Sequence, residues 1–340
     1  MVTRAFVINQ GGRVTPRHAF VTGGTGFVGL NLVQQLKAAG WDVTALHRPN
    51  SDLRYLSRFS PALVQGEITD SASLLAALPN GIDTLFHVAG NTNMWRKGNA
   101  QQTRDNVDGT RNVVDAAIIK GVRRLVVTSS IAAYGSISGE ITETTLSRAA
   151  GSSVNYELTK WQAQEIARAA VSRGLEVVIM QPGAIMGPYD IGTWSRMFTL
   201  VRDGKLDAVP DAGLTFAHVR EVVAAHIAAA DKGENGGSYL LGGENRSMLD
   251  LIQIIERLLG KPAKAKVVPT TVLKVVAAVG DFASNFTGKQ PALTPEMAKM
   301  FGSRGTISVA KAQRELGFKV VPLEAMAKDC YDWMVAEGRI

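Results

Sequence analysis

The sequence contains very little cysteine and few histidines. Cys330 is its one cysteine in 340 residues, so an internal disulfide and a cysteine zinc cluster are both excluded. The five histidines lack the close spacing of a zinc-binding helix, and we therefore expect no metal site. Low cysteine content is typical of proteins that fold in a reducing compartment. We expect a cytoplasmic protein.

The sequence also lacks any apolar run of about 18 residues, so no membrane-spanning segment is predicted. Residues 1–17 are basic and have no long apolar core, which predicts a flexible N-terminal extension and not a secretory signal. The most apolar late segment, 267–283, favours a buried or surface-packed helix over a helix lying on a membrane surface.

The net charge of the chain is positive, and the basic residues are dispersed. The net charge of +7 comes from scattered lysines and arginines, with no basic tract, so we expect no nucleic-acid partner. A cofactor that carries several phosphates would also favour a positively charged groove.

Short runs of Val, Ile and Leu alternate with helical patterns through the first two thirds of the chain. The runs predict six buried strands, at residues 18–21, 42–46, 62–64, 84–88, 124–127 and 176–180. The intervening patterns predict helices near 27–39, 71–78, 104–120 and 153–173. This alternation predicts an α/β protein with a doubly wound parallel Rossmann sheet, which binds its ligand at the carboxyl ends of the strands.

The pattern changes after about residue 183, where isolated strands and turns replace the regular alternation. We expect a smaller substrate-binding region interleaved with the sheet. The predicted divisions are a cofactor-binding Rossmann domain at 18–185 and a mainly substrate-binding region at 186–340, with 215–245 returning to the Rossmann core.

A glycine-rich turn follows the first predicted strand. Residues 22–29 read TGGTGFVG and place Gly23, Gly26 and Gly29 between a strand and a helix. Glycine permits a tight turn and a close approach of the backbone to pyrophosphate, and the helix N-terminus supplies aligned amide groups. The turn predicts dinucleotide binding.

The end of the second predicted strand distinguishes between cofactors. An acid at this point would bind the ribose 2′-hydroxyl of NAD, whereas an arginine accommodates a 2′-phosphate. Arg48 follows His47 here, and no acid occurs before Asp52. The pattern favours NADP(H) and leaves NAD(H) open.

Tyr156 and Lys160 are one helical turn apart and therefore share a helix face. Tyrosine has a pKa near 10 and is a poor acid–base catalyst at neutral pH. We expect the Lys160 ammonium to lower the pKa of Tyr156, and Ser130, just past the fifth strand, to hydrogen-bond a substrate carbonyl.

An ordered set of motifs over residues 18–330 resembles the extended short-chain dehydrogenase/reductase superfamily, in its NAD-dependent epimerase/dehydratase group. HRPNSDLRYL after the second strand and YLLGGEN near residue 240 resemble the dihydroflavonol 4-reductase-like branch. The matching segments are TGGTGFVG (22–29), GEITD (66–70), FHVAG (86–90), NVDGTRNVVDAA (106–117), VVTSSIAAYG (126–135), YELTK (156–160), QPGAIMGP (181–188), FAHVREVV (216–223) and YLLGGEN (239–245).

The resemblance implies a catalytic triad of Ser130, Tyr156 and Lys160, supported by the polar residue Asn106. It also implies a homodimer formed through the helices at 104–120 and 153–173. Glu67 stands where the family often has aspartate. The cofactor-binding residues implied by the turn and the resemblance are Gly23, Thr25, Gly26, Phe27, Val28, Gly29, Arg48, Glu67, Ile68, Val88, Ala89, Gly90, Asn106, Thr128, Ser129, Tyr156, Lys160, Pro182, Gly183, Ala184 and Ile185.

The fold does not select among reduction, epimerisation and dehydration. Sugar-nucleotide dehydratases resemble one another in an Asp-Glu pair where this chain has Ile131 and Ala132, which disfavours dehydration. Arg48 favours an exchangeable NADPH. We therefore expect an enzyme that reduces a ketone or aldehyde, with a nucleotide-sugar epimerase using bound NAD as the alternative and a non-enzymatic NADP(H) sensor as a third hypothesis.

Apolar residues after the fourth and sixth strands favour a hydrophobic or aromatic small-molecule carbonyl substrate. Arg196, Arg202 and Lys205 keep a sugar nucleotide open. The residues expected to contact substrate, together with Ser130, are Asn91, Met94, Trp95, Met186, Tyr189 and Trp194.

Overall fold

The computed structural model describes residues 6–8, 14–301 and 305–340. Much of the predicted 1–17 extension lies outside these residues, although Phe6–Ile8 pairs antiparallel with Val14–Pro16 inside it. In the described part of the chain, no helix is both long and apolar enough to cross a membrane.

The strands are short and extend over most of the described chain. In chain order they are β1 (Phe6–Ile8), β2 (Val14–Pro16), β3 (His18–Thr22), β4 (Asp42–His47), β5 (Ala62–Gln65), β6 (Thr84–His87), β7 (Arg124–Thr128), β8 (Gly139–Ile141), β9 (Glu176–Pro182), β10 (Ala184–Met186), β11 (Ala208–Pro210), β12 (Gly213–His218), β13 (Ser238–Leu241), β14 (Asn245–Ser247), β15 (Lys266–Val268) and β16 (Gly305–Ile307).

Helices lie between the strands and dominate the C-terminal third. They are α1 (Phe27–Ala38), α2 (Ser71–Ala77), α3 (Asn99–Thr103), α4 (Gly109–Ile119), α5 (Asn155–Ala169), α6 (Ser195–Arg202), α7 (Val219–Lys232), α8 (Met248–Leu258), α9 (Thr270–Thr287), α10 (Pro295–Met300), α11 (Ala310–Leu316) and α12 (Leu323–Ala336).

Seven parallel strands form the central sheet, in the order β13-β9-β7-β6-β3-β4-β5. The predicted doubly wound α/β fold is therefore confirmed. Strand order reverses between β3 and β6, and ligands of open α/β sheets bind at such a switch point. Smaller pairings surround the sheet: β12 pairs with β10 and β14, β11 with β15, and β8 with β16.

The prediction that all six early strands are buried is wrong for one of them. The side chains of β5 are mostly exposed because this strand is the edge of the sheet and has a neighbour on one side only. The other five have largely buried side chains. The strand predicted at 84–88 ends at His87.

Two apolar clusters cover the faces of the sheet. One contains Leu32 of α1 and Val222 of α7, and the other contains Leu74 of α2, Val113 of α4 and Ala167 of α5. The sheet is covered by helices on both faces, as continuous apolar strands require.

The predicted helix at 104–120 is interrupted. It begins as α3, passes through a π-helical turn at Arg104–Asp108 and continues as α4. π-helical turns inside α-helices occur often at functional sites. This turn carries Asn106, and it directs the amide of that residue toward the carboxyl ends of the central strands.

Candidate active site

The glycine turn after β3 packs tightly against the chain segment that follows β6. Gly23 has a φ of +73°, and a β-carbon there would lie 2.6 Å from the amide nitrogen of Ala89. A β-carbon on Gly29 would overlap the main-chain oxygen of Gly23. The sequence folds this way because only glycine fits both positions.

Helix α1 begins directly after this turn, and no side chain caps its N-terminus. Gly26 is the N-cap residue and supplies no side-chain cap, and the first turn contains no acidic residue. The free amide groups and the helix dipole therefore favour an anion at this end.

Arg48 lies on the exposed loop after β4. Its main-chain nitrogen donates to the hydroxyl of Ser51, whereas its guanidinium has no carboxylate within 4.0 Å among the described residues. Arg54 on the same loop instead pairs with Asp52 at 3.2 Å. Arg48 is therefore the arginine of this loop that is available to an anionic ligand.

Ser130 and Tyr156 are brought together by two different elements. Ser130 starts the short 3-10 helix after β7, and its Oγ accepts a hydrogen bond from the Ala132 nitrogen at 3.1 Å. Tyr156 lies in the first turn of α5, and its phenol interacts with the Ser130 side chain. Burial raises the pKa of Tyr156, and the interaction with Ser130 partly opposes that rise.

Lys160 lies one turn further along α5 and is also buried. Its Nζ donates to the main-chain oxygen of Thr128 at 3.2 Å. Burial lowers the pKa of Lys160 to about 8. The expected lowering of the Tyr156 pKa does not occur in this structure, because loss of solvent around the phenol outweighs other effects.

Asn106 fixes the chain segment after β6. Its Oδ1 accepts from the Asn91 nitrogen at 2.7 Å, and its Nδ2 donates to the Asn91 oxygen at 2.9 Å. The same Nδ2 donates to Thr159 Oγ1 at 3.1 Å. Asn106 therefore ties the segment after β6 to the helix that carries Tyr156 and Lys160.

His87 was missed by the sequence analysis as a separate site residue. It is buried at the end of β6, with Nδ1 2.8 Å from Thr22 Oγ1 and Nε2 3.1 Å from Thr110 Oγ1. Burial and, secondarily, the charge of Lys160 lower its pKa to about 3, so the ring is neutral at physiological pH. The sequence did contain a sign of a site residue here, because His87 is a polar residue at the end of the apolar run of β6.

A cavity of about 10 Å³ adjoins these residues and is lined in part by His87, Asn106, Thr128, Lys160 and Gln164. That volume is close to the smallest that can hold one water molecule, and its lining offers several polar partners.

Gln164 was also missed. Its Oε1 accepts from Ser129 Oγ at 3.1 Å and from Gln181 Nε2 at 2.8 Å, and Gln181 in turn accepts from the Tyr134 hydroxyl at 3.1 Å. This buried network holds the loop that presents Ser130. The sequence did contain a sign of this role, because Gln164 lies four residues after Lys160 and therefore on the same helix face.

Of the predicted substrate residues after β6, Met94 lies against the cluster that contains Tyr156. Met94 packs with Ala132, Val154 and Tyr156, together with Met300. Asn91 donates its side-chain amide to Asp105 at 2.8 Å, and Trp95 is half-buried. Met300 was not predicted, since its distance in sequence from Tyr156 gives no pattern to detect.

The predicted substrate residues after β9 occupy packing positions. Met186 is fully buried in the core cluster that covers α1 and α7. The Tyr189 ring packs edge-on to Tyr55 at 5.6 Å, and the Trp194 ring packs against Phe216 at 5.3 Å. These three side chains belong to the large apolar cluster of α1 and α7, whereas Tyr156 belongs to a separate small cluster.

The remaining predicted cofactor residues follow the central strands at one edge of the sheet. Thr25, Phe27 and Val28 lie in the turn or at the start of α1, and Glu67 and Ile68 follow β5. Val88 and Gly90 follow β6, Thr128 ends β7 and Ser129 follows it, and 182–185 run from β9 into β10. Parallel strands bring these segments together at the carboxyl edge.

Comparison with known proteins matches residues 19–242 to the NAD dependent epimerase/dehydratase family. The chain is 31% identical to "Putative dihydroflavonol 4-reductase" of Synechocystis sp., over 94% of this chain and 95% of that protein. It is also 31% identical to sterol demethylase protein B of Methylococcus capsulatus, over 94% and 99% of the two chains.

Solved structures agree with this. The crystal structure of gox2253 is 31% identical and superposes with a TM-score of 0.82, covering 95% of this chain and 99% of that one. A nucleoside-diphosphate-sugar epimerase from Pseudomonas aeruginosa is 26% identical with a TM-score of 0.78, covering 96% and 100%. The chain therefore belongs to the NAD dependent epimerase/dehydratase family and is an NAD(P)-binding enzyme of the extended short-chain dehydrogenase/reductase type.

Proposed function

We propose that the protein is an NADPH-dependent reductase that converts a hydrophobic or aromatic ketone or aldehyde to an alcohol. The observation that carries the proposal is the grouping of three buried residues: Ser130 after β7, Tyr156 on α5, and Lys160 one turn further along α5 with its ammonium on the last residue of β7. This arrangement lies at the carboxyl edge of the sheet, beside the glycine turn.

The residues present fit a dinucleotide. Gly23 and Gly29 leave a turn with no side chain in the way, and the uncapped N-terminus of α1 favours the pyrophosphate. Arg48, exposed and free of a carboxylate partner among the described residues, supports a cofactor with a 2′-phosphate.

The chemistry follows from the side chains. A nicotinamide cofactor held at the glycine turn and the N-terminus of α1 would supply the hydride for the carbonyl carbon. Ser130 hydrogen-bonds the carbonyl oxygen, and Tyr156 donates a proton to it. The raised pKa of Tyr156 keeps the phenol protonated at neutral pH, which suits a proton donor in the direction of reduction. Lys160 holds positive charge nearby, since a pKa of about 8 leaves it mostly protonated at neutral pH.

The substrate class is inferred from the apolar surroundings of the triad. Met94 and Met300 pack with Tyr156, and methionine side chains adapt to apolar ligands of varied shape. Two relatives support reduction of a carbonyl, since one is named 2-alkyl-3-oxoalkanoate reductase and another cinnamoyl-CoA reductase 1.

A nucleotide-sugar epimerase with bound NAD is the second candidate. The observation that favours it is the similarity to the Pseudomonas aeruginosa nucleoside-diphosphate-sugar epimerase, which covers 96% of this chain. Arg48 counts against it, because epimerases that retain NAD typically have an acid after the second strand.

A carbonyl substrate panel monitored by NADPH absorbance tests the proposal, with an identical series using NADH. Consumption of NADPH in step with alcohol formation is the expected result. Protein that purifies with bound NAD and interconverts sugar nucleotides without net cofactor use would replace the reductase with the epimerase.

A further inference from the structure

Helix α9 presents an apolar face to solvent. Ala277 and Ser284 are its buried residues. At 3.6 residues per turn, the exposed large side chains fall within an arc of about 120° on the opposite side of the helix. These side chains, 48–79% exposed, are Val272, Val275, Val276, Val279, Phe282 and Phe286.

The helix is held firmly in this orientation. Asp281 pairs with Arg96 at 3.0 Å, and the Lys97 ammonium donates to the Ser284 oxygen at 2.9 Å. The following helix, α10, is tied to the same loop because the Thr294 hydroxyl donates to the Met94 oxygen at 2.6 Å. The outward apolar face is therefore a property of the folded protein. Contiguous apolar surface of this kind marks an interaction site.

The chain segment that contains this helix is rich in positive charge. Residues 261–289 contain five lysines and one acid, Asp281, which is already paired with Arg96. All five lysines are exposed. They are Lys261, Lys264, Lys266, Lys274 and Lys289.

We propose that α9 docks the protein on the surface of an anionic lipid bilayer. The apolar face enters the boundary between headgroups and acyl chains, and the lysines lie against lipid phosphate and carboxylate groups. Charge complementarity selects this partner over a second copy of the chain. Two copies joined through this face would bring two lysine-rich sets together, whereas an anionic membrane attracts them.

Docking has a consequence for the active site. The loop that α9 and α10 contact carries Met94, which packs with Tyr156. A substrate that partitions into the membrane would meet the protein next to this loop. That consequence rests on the proposed reductase function, but the docking does not.

Sedimentation of the full chain with lipid vesicles tests the proposal. The two vesicle types are phosphatidylcholine alone and phosphatidylcholine with about 30% phosphatidylserine, each in about 0.1 M and about 0.5 M salt. The expected result is about tenfold stronger binding to the anionic vesicles at low salt, lost at high salt. The Phe282→Gln/Phe286→Gln double variant is expected to bind at least about tenfold more weakly.

The matched control is Ile119→Gln/Leu146→Gln, which removes two apolar side chains that are 67% and 88% exposed elsewhere on the surface. This variant is expected to bind vesicles like the wild type. Unchanged thermal transitions in both double variants verify folding. If the wild type binds anionic vesicles no more strongly than it binds phosphatidylcholine vesicles, the proposal is overturned. Light scattering covers the alternative occupant. If the wild type is a dimer that does not bind vesicles, and the Phe282→Gln/Phe286→Gln variant is a monomer, the apolar face binds a second copy of the chain and the proposal is overturned.

Discussion

The ammonium nitrogen of Lys160 lies 3.2 Å from the main-chain oxygen of Thr128, in a region that solvent scarcely reaches. The carbonyl dipole helps to hold the charge, yet burial still lowers the pKa of Lys160 to about 8. The group is charged below that pH and neutral above it. Its charge is therefore sensitive to pH in the range where reductases are assayed.

The pH profile of reduction is expected to report this group. Below about pH 8 the ammonium is present and kcat/KM should be flat, and above it kcat/KM should fall about tenfold per pH unit as the charge is lost. Tyr156 is not the cause of the fall in kcat/KM above about pH 8, since its raised pKa keeps the phenol protonated there. Initial rates of NADPH oxidation, measured from about pH 6 to about pH 10, give the dependence of kcat/KM on pH. The exposed-lysine variant Lys319→Gln should retain it, and a flat profile through pH 10 would contradict the role of Lys160.

Tyr156→Phe is expected to lower reductive turnover by about 10³-fold, because the phenol is the proton donor. NADPH affinity, measured by cofactor fluorescence, should be unchanged. Tyr239→Phe is the control: this buried hydroxyl bonds Glu315 at 2.7 Å on the far side of the sheet. It should cost about 1 kcal/mol of stability and leave turnover intact. Normal turnover in Tyr156→Phe would refute the assignment.

Arg48→Ala is expected to reduce kcat/KM with NADPH about tenfold and to change kcat/KM with NADH little, since only NADPH carries the 2′-phosphate. Arg54→Ala, on the same loop but paired with Asp52, should leave the ratio of the two unchanged. Steady-state kinetics with both cofactors make the comparison. A wild-type preference for NADH of about tenfold, or about 1.4 kcal/mol, would show that Arg48 has no such role.

Gly29→Ala is expected to abolish cofactor binding and to lower stability, because the new methyl group would overlap the Gly23 carbonyl. Nothing lies within 4 Å of a β-carbon at Gly192, so Gly192→Ala is the matched control and should bind cofactor normally. Calorimetric titration with NADPH and thermal unfolding check both variants. Cofactor binding by Gly29→Ala at wild-type affinity would mean that the turn can relax.

Acid should destabilise the fold through buried histidines. The pKa of His87 is lowered from 6.5 to about 3, and that of His226 to about 4, chiefly by burial. The unfolded chain therefore binds more protons between these values and 6.5, so stability is full above pH 6.5 and falls as pH decreases. At pH 5 each histidine should cost about 2 kcal/mol.

Urea unfolding at pH 7.5 and pH 5 measures this loss. His87→Gln should reduce the difference in stability between the two pH values by about 2 kcal/mol. The same pH dependence in His87→Gln and in the wild type would exclude His87 as a source of acid sensitivity.

Local patterns were sufficient for the fold class. Apolar runs and helical periodicity predicted the parallel sheet, because a strand buried on both faces needs apolar side chains at every position. The pattern was misleading at β5, where Leu63 and Val64 read as buried although an edge strand leaves them partly in solvent. Edge position is a property of the sheet order, which no local window contains.

The sequence by itself determined the chemistry-bearing positions: the glycine turn, Ser130, and the spacing of Tyr156 and Lys160. Backbone sterics and helix geometry act over a few residues, so these features can be predicted from the local sequence. Only the tertiary structure decided which side chains surround them. Met300 reaches the Tyr156 cluster while Met186 and Tyr189 are taken up by the core, and burial, a sum over the whole fold, raises the pKa of Tyr156 where a neighbouring lysine alone would have lowered it.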